Sequence, residues 1–172
     1  MTYKSFLIAG LCIAITTVTA CSSRLETTET TPAAPPTAEK AEPNNDNSRI
    51  TMVETTPLSD GAYTFNVTVE SEETGCDLYA NWWEVIDEDG NLLYRRILAH
   101  SHVNEQPFTR SGGPITADSQ QVLIVRSHMH PTGYSTQAAK GSIESGFEQT
   151  TLPPDFAVEL SESEPLPTGC NF

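Results

Sequence analysis

The feature that most constrains the fold is an alternation of apolar and polar residues with a period of two. Between Tyr63 and Glu70, the residues Tyr, Phe, Val and Val alternate with Thr, Asn, Thr and Glu. Successive side chains of a strand point to opposite faces, so this pattern predicts a β-strand with one buried face. We find no apolar stripe with helical spacing over ten or more residues. The chain is therefore expected to fold mainly as β-structure.

Other segments are rich in β-forming residues and are separated by turn signals. Residues 82–86 and 92–98 flank the segment Asp87-Glu88-Asp89-Gly90-Asn91, and an Asp-Gly pair in so short a gap predicts a hairpin. A calcium loop is the alternative, but the flanks are not helical and no Glu follows at the EF-hand distance. Further strands are predicted at residues 50–55, 121–129, 137–143 and 156–160.

Several short strands in 172 residues indicate one all-β domain. We predict a β-sandwich of immunoglobulin or fibronectin-III type over residues 49–172, with a compact β-barrel as the second choice.

Residues 1–20 have the character of a secretory signal peptide. Lys4 precedes an apolar run over residues 6–18, which is shorter than the ~20 residues of a membrane-spanning helix. The run closes with Val18-Thr19-Ala20-Cys21, which resembles the lipobox of bacterial lipoproteins. The resemblance implies that Cys21 carries diacylglycerol, becomes the first residue after cleavage, and is N-acylated. Ser22 in the next position implies an outer-membrane destination where the host has two membranes.

Residues 21–48 are predicted to form a disordered tether after the lipidated Cys21. The segment is rich in Thr and Pro and has no aromatic residue, so it cannot bury enough apolar surface to offset the entropy of ordering. As a flexible coil it would span roughly 30 Å. Its predicted role is to hold the folded domain away from the membrane.

The remaining cysteines are expected to pair. Cys12 leaves with the signal peptide and Cys21 carries lipid, so Cys76 and Cys170 remain. Two thiols in an oxidising envelope compartment usually form a disulfide. The alternative is two buried free thiols.

The charge balance excludes some classes of function. The chain has 23 Asp and Glu against 9 Lys and Arg, a net charge of −14. A general nucleic-acid binder needs a basic surface, so nucleic acid is not an expected partner. The sequence contains neither G-x-S-x-G nor H-E-x-x-H nor a glycine-rich phosphate loop, which disfavours an enzyme without deciding the matter.

All four histidines occur in two His-x-His pairs. Residues two apart on a strand share a face, so each pair could direct two imidazoles to one ion. If the two strands were neighbours, all four could bind Zn²⁺ or Cu²⁺. The alternative is a set of hydrogen-bonded residues at strand ends. The candidate metal ligands are His100, His102, His128 and His130.

An arginine-rich segment suggests an anion site as a further alternative. Arg96, Arg110 and Arg126 fall between residues 92 and 130, and the predicted loop at residues 108–114 contains Gly112 and Gly113. Guanidinium groups and exposed backbone N–H groups both suit carboxylates or phosphates. Internal pairing with acids such as Glu84 and Glu105 is the competing interpretation. A sugar-stacking platform is also conceivable, from Tyr79, Trp82, Trp83 and Tyr94.

These observations predict a cell-envelope lipoprotein whose β-domain acts as a non-catalytic binding or structural module. A metal-binding protein that uses the four histidines is the alternative, and binding or processing of an anion or carbohydrate is the third. Apart from possible Zn or Cu, no cofactor is expected, and the membrane is the one partner that the sequence indicates.

Overall fold

The computed structural model describes residues 46–171. The predicted signal peptide, the lipidation of Cys21 and nearly all of the predicted tether lie outside these residues. Within them, no helix is long and apolar enough to cross a membrane.

The described chain is nearly all β, which confirms the predicted class. Nine strands are followed by one short 3₁₀ helix. They are β1 (Ser48–Pro57), β2 (Ala62–Ser71), β3 (Tyr79–Asp87), β4 (Leu92–Ile97), β5 (Phe108–Thr116), β6 (Leu123–His130), β7 (Gly133–Tyr134), β8 (Gln137–Ser142) and β9 (Gly146–Thr151), with the helix at Val158–Glu162.

The strands form a single sheet in the order β4-β3-β6-β8-β1-β2-β5, with β7 added to β6 and β9 to β8. The link between β8 and β1 is parallel and rests on one register pair, Arg49 with Gln137. The two ends of the sheet approach each other, since Arg96 on β4 donates from Nε to the carbonyl of Ser111 on β5 at 3.0 Å. Of the two predicted architectures, this nearly closed sheet is closer to the compact barrel.

The interior is built from the alternating positions that the sequence pattern marks. Phe65, Val67 and Val69 of β2 are fully buried, and they pack with Trp83 and Val85 of β3. Each buried side chain of this size contributes about 1.5–3 kcal/mol relative to exposure. Gly112 of β5 lies so close to the indole of Trp83 that an added Cβ would be 2.6 Å from it. The missing side chain therefore lets β5 pack against the core.

Most predicted strands are present, and the predicted hairpin joins β3 to β4. Asp87 accepts hydrogen bonds from the backbone N–H and the side-chain amide of Asn91, both at 2.8 Å. These bonds, led by the side-chain one, lower the pKa of Asp87. Gly90 takes the positive φ of 83° that the turn requires.

Two local predictions are wrong. The predicted loop at residues 108–114 belongs to strand β5, because Gly112 and Gly113 serve close packing rather than a turn. The predicted strand at residues 156–160 overlaps the 3₁₀ helix instead. Its carbonyl groups bond to arginine side chains rather than to a neighbouring strand.

The last part of the described chain, residues 153–171, is called the C-terminal strap below. Its Phe156 and Leu160 pack against Ile86 of β3 and Ile124 of β6. The predicted disulfide is present and links Cys170 at the end of the strap to Cys76 before β3, with the Cα atoms 5.6 Å apart.

Candidate functional site

A buried charge cluster lies between the sheet and the C-terminal strap. Strand β3 runs between β4 and β6, so that Glu84 is in register with Arg95 on one side and Arg126 on the other. Arg95 donates to Glu84 Oε2 from Nε at 2.8 Å and from Nη2 at 2.6 Å. Arg126 donates to Glu84 Oε1 from Nε at 2.8 Å. All three residues are at most 5% exposed, so the ion pairs are almost completely desolvated.

Glu84 balances only one of the two guanidinium charges, and backbone carbonyls of the strap accept the remaining hydrogen bonds of both arginines. Arg95 donates to the carbonyls of Leu160 at 2.6 Å and Pro165 at 3.2 Å. Arg126 donates to the carbonyl of Phe156 at 2.6 Å. Two further carbonyls, those of Ala157 and Ser163, accept from the same guanidinium groups. Such charge-assisted bonds are about twice as strong as neutral ones, so the cluster holds the strap on the sheet.

An aromatic stack continues the cluster along the same face. The ring of Trp82 lies flat on the imidazole of His128, with the ring centres 3.7 Å apart. The guanidinium of Arg95 lies 4.5 Å from the Trp82 ring, and that of Arg126 lies 3.6 Å from the ring of Tyr134. Burial, followed by the charges of the two arginines, lowers the pKa of His128 to about 3. His128 is therefore neutral at physiological pH.

The other histidine pair lies beyond the end of β4. That strand stops at Ile97. The expectation that residues two apart share a face of a strand therefore does not apply to His100 and His102. The backbone N–H of His102 donates to the carboxylate of Glu73, and the imidazole stacks on Phe108 with ring centres 3.8 Å apart. Within the described residues neither ring nitrogen has a hydrogen-bond partner. Burial, with a contribution from the neighbouring cations, lowers the pKa of His102 to about 4.

The structure does not bring the four histidines to one centre. The prediction requires β4 and β6 to be neighbours, but β3 lies between them. The ring centres of His100 and His102 are 4.6 Å apart, whereas His128 is stacked on Trp82. Within residues 46–171, no group of three or more His, Cys, Asp or Glu side chains is placed to hold a metal ion.

The three arginines of the predicted anion site have separate internal partners. Arg96 donates to the carbonyls of Ser111 and Ile97, Arg110 forms an ion pair with Glu105 at 2.6 Å, and Arg126 pairs with Glu84 as described above. For Arg110 and Arg126 this is the internal pairing with acids that the sequence leaves as the competing interpretation. Arg95 is not among the predicted site residues, although the predicted hairpin is the signal that places it opposite Glu84. The pairing of Arg126 with Glu84 depends instead on the order of β3 and β6, which the sequence pattern does not specify.

A small open pocket of about 280 Å³ lies beside the disulfide. Tyr79 and Asn81 of β3 and His130 of β6 form one side, and the strap forms the other with Pro167 and Thr168. His128 Nδ1 donates to Asn81 Oδ1 at 2.7 Å, which connects the pocket to the aromatic stack. In the sequence, Tyr79 belongs to a predicted sugar platform and His130 to a predicted metal site. The two residues come together only in the folded domain, where the strap completes the pocket.

Comparison with known proteins gives one informative similarity. Over 85 residues the chain is 39% identical to a protein of Halomicrobium mukohataei named "Putative lipoprotein". The aligned part is 49% of this chain, and the chain spans 42% of that relative's length. No protein-family model matches the chain, and no solved structure is similar to it. The similarity associates the chain with lipoproteins and leaves its biochemical role open.

Proposed function

We propose that the protein is a lipid-anchored lipoprotein of the cell envelope, whose β-domain is a non-catalytic binding or structural module. The observation that carries the proposal is the agreement between the lipobox Val18-Thr19-Ala20-Cys21 and a relative that is itself named a lipoprotein.

In this proposal Cys21 is the attachment point and residues 22–48 are the spacer. One acyl chain binds a membrane only marginally, whereas two or more hold stably. The diacylglycerol on Cys21 therefore provides a permanent anchor. In a host with two membranes, Ser22 favours the outer one.

The organisation of the domain supports a role in stable display. The buried Glu84 cluster and the Cys76–Cys170 disulfide both fasten the C-terminal strap to the sheet. A module exposed outside the cytoplasm benefits from such fastening, because opening of the strap would expose desolvated arginines and apolar side chains.

The anchor can be tested with the full chain expressed in a host that processes lipoproteins. Cys21→Ala is compared with Cys12→Ala, a matched control in the signal peptide. We expect wild type and Cys12→Ala to enter the detergent phase in a phase-separation assay, with mass spectrometry showing a lipid on an N-terminal Cys21. Cys21→Ala should remain in the aqueous phase. An unmodified Cys21 in the wild-type protein would contradict the proposal.

A further inference from the structure

The walls of the pocket beside the disulfide are fixed by bonds within the protein. On the sheet side, Tyr79 and His130 are register partners on β3 and β6. On the strap side, Cys170 is bonded to Cys76, and the N–H of Asn171 donates to the carbonyl of Ala99 at 2.6 Å. A preformed site of this kind requires little ordering when a ligand enters.

Two polar side chains of the pocket lining carry donors that make no hydrogen bond within the described part of the chain. Tyr79 and Asn81 are only 3% and 4% exposed. The hydroxyl of Tyr79 makes no hydrogen bond to residues 46–171, and the same is true of the amide NH₂ of Asn81, whose Oδ1 is occupied by His128. Neither donor is among the fully buried unpaired atoms of residues 46–171, so both reach the surface of the pocket. These two donors are therefore available to a ligand.

Within the described residues, the pocket lining has none of the acidic character that the net charge of −14 gives to the chain. Within residues 46–171, no Asp, Glu, Lys or Arg lines it. Burial and the nearby charge of Glu73 raise the pKa of Tyr79, so its hydroxyl stays protonated. An anion would be repelled by the whole molecule and a cation would find no carboxylate at the site. The lining therefore favours a neutral ligand rich in hydrogen-bonding groups.

The aromatic and apolar parts of the lining define a second property of the ligand. The rings of Tyr79 and His130 lie 5.8 Å apart at an angle of 53°, and Pro167 adds an apolar surface opposite them. The exposed ring of His130 can pack on an apolar C–H face, whereas the buried Tyr79 offers only its polar end. The volume of about 280 Å³ is just below the ~300–1,000 Å³ of drug-sized sites, which suits a single ring.

From this geometry we infer that the pocket binds one residue of a neutral sugar. The C–H face of the pyranose lies on the exposed ring of His130, and its hydroxyl groups bond to Asn81, Thr168 and the Tyr79 hydroxyl. The inference rests on the proposed binding role of the domain and names the class of its ligand.

Saturation-transfer NMR on the full chain tests this inference. The protein is held in a polyoxyethylene detergent, because detergents with sugar head groups would compete for the pocket. Methyl glycosides and N-acetylglucosamine are compared with glucuronate and galacturonate as charged counterparts. We expect saturation transfer to at least one neutral sugar and none to the uronates.

The variants determine whether such binding occurs at this pocket. His130→Ala with Thr168→Val should weaken binding at least tenfold, whereas Thr56→Val, at an exposed threonine of β1, should leave it unchanged. Tyr79→Phe keeps the ring and removes one donor, which provides a second test if the double variant fails to fold. The inference is overturned if no neutral sugar receives saturation, or if binding survives both pocket variants. If the wild-type protein is lipidated on Cys21 but binds no sugar, only the pocket inference is refuted. If the wild-type protein binds sugar but is not lipidated in a host that processes lipoproteins, only the proposed lipid anchor is refuted.

Discussion

Lowering the pH from 8 to 5 should destabilise the domain through His102 and His128. In the folded state their pKa values are about 4 and about 3, whereas an unfolded histidine has its ordinary pKa of about 6.5. The unfolded chain therefore binds protons in this range that the folded chain does not. Stability is fully present above pH 6.5 and falls as the pH decreases toward the folded pKa values.

The size of the effect follows from the linkage relation. At pH 5 the proton equilibrium of each unfolded histidine contributes RT ln(1 + 10^1.5), or about 2 kcal/mol. This figure hardly depends on the folded pKa as long as that pKa lies well below 5. The two histidines together should lower the free energy of unfolding by about 2–4 kcal/mol, because protonated His102 would recover part of its share by pairing with the buried carboxylate of Glu73, 3.8 Å from its Nδ1. This is a large part of the ~5–15 kcal/mol typical of a domain.

Urea unfolding of the full chain at pH 5, 6, 7 and 8 measures this difference. A concentration of 1 M NaCl shortens the Debye length to about 3 Å and so suppresses the general repulsion among acidic side chains. Asp87 and Glu105 have pKa values below their ordinary 3.8 and 4.5, so they affect stability mainly below pH 5. His128→Gln should reduce the difference by about 2 kcal/mol, and His102→Gln should reduce it by at most the same amount. A wild-type difference below about 1 kcal/mol would refute the reasoning.

Three further predictions concern the interactions that hold the fold together, each measured by urea unfolding at pH 7. Glu84→Gln leaves two buried guanidinium groups without a counter-charge and should cost about 3–5 kcal/mol; a loss below about 1 kcal/mol would show that the strap carbonyls suffice. Replacing Cys76 and Cys170 by Ala opens a loop of 94 positions and should cost about 2–4 kcal/mol, and unchanged stability would contradict this. Gly112→Ala places a methyl group 2.6 Å from the Trp83 indole and should cost about 1–3 kcal/mol, so a neutral result would show that β5 can move away.

The strands were predictable where burial on one face imposes an alternating pattern. β2 shows this, since Phe65, Val67 and Val69 are fully buried. The hairpin was predictable because Asp87 and Gly90 satisfy local backbone requirements. Strand β5 was not predicted, because Gly112 and Gly113 are typical of turns and the need for close packing against Trp83 arises only in the assembled sheet.

The order of strands in the sheet determines which polar residues come into contact. The alternation of apolar and polar residues within one strand does not specify that order. Because residues two apart on a strand share a face, Arg126 and His128 lie on one face of β6, where both contact Tyr134. This alternation cannot show that β3 separates β6 from β4, and this separation keeps the two histidine pairs apart and makes Glu84 the partner of both arginines. A count of ligand-type residues therefore suggested a metal centre, whereas the topology builds an ion-pair cluster.

The number of acidic residues in the C-terminal strap does not predict how the strap packs. Its four acidic residues, Asp155, Glu159, Glu162 and Glu164, suggest a solvated surface segment. The arginines beneath it bond to its backbone carbonyls and to Glu84 rather than to these carboxylates. Carbonyl dipoles satisfy the second guanidinium without the desolvation of another full charge, which would cost several kcal/mol. The strap can thus be strongly acidic toward solvent and still pack on two buried cations. The number of its acidic residues does not reveal this arrangement, because the contacts to the arginines are made by backbone carbonyls on its buried side.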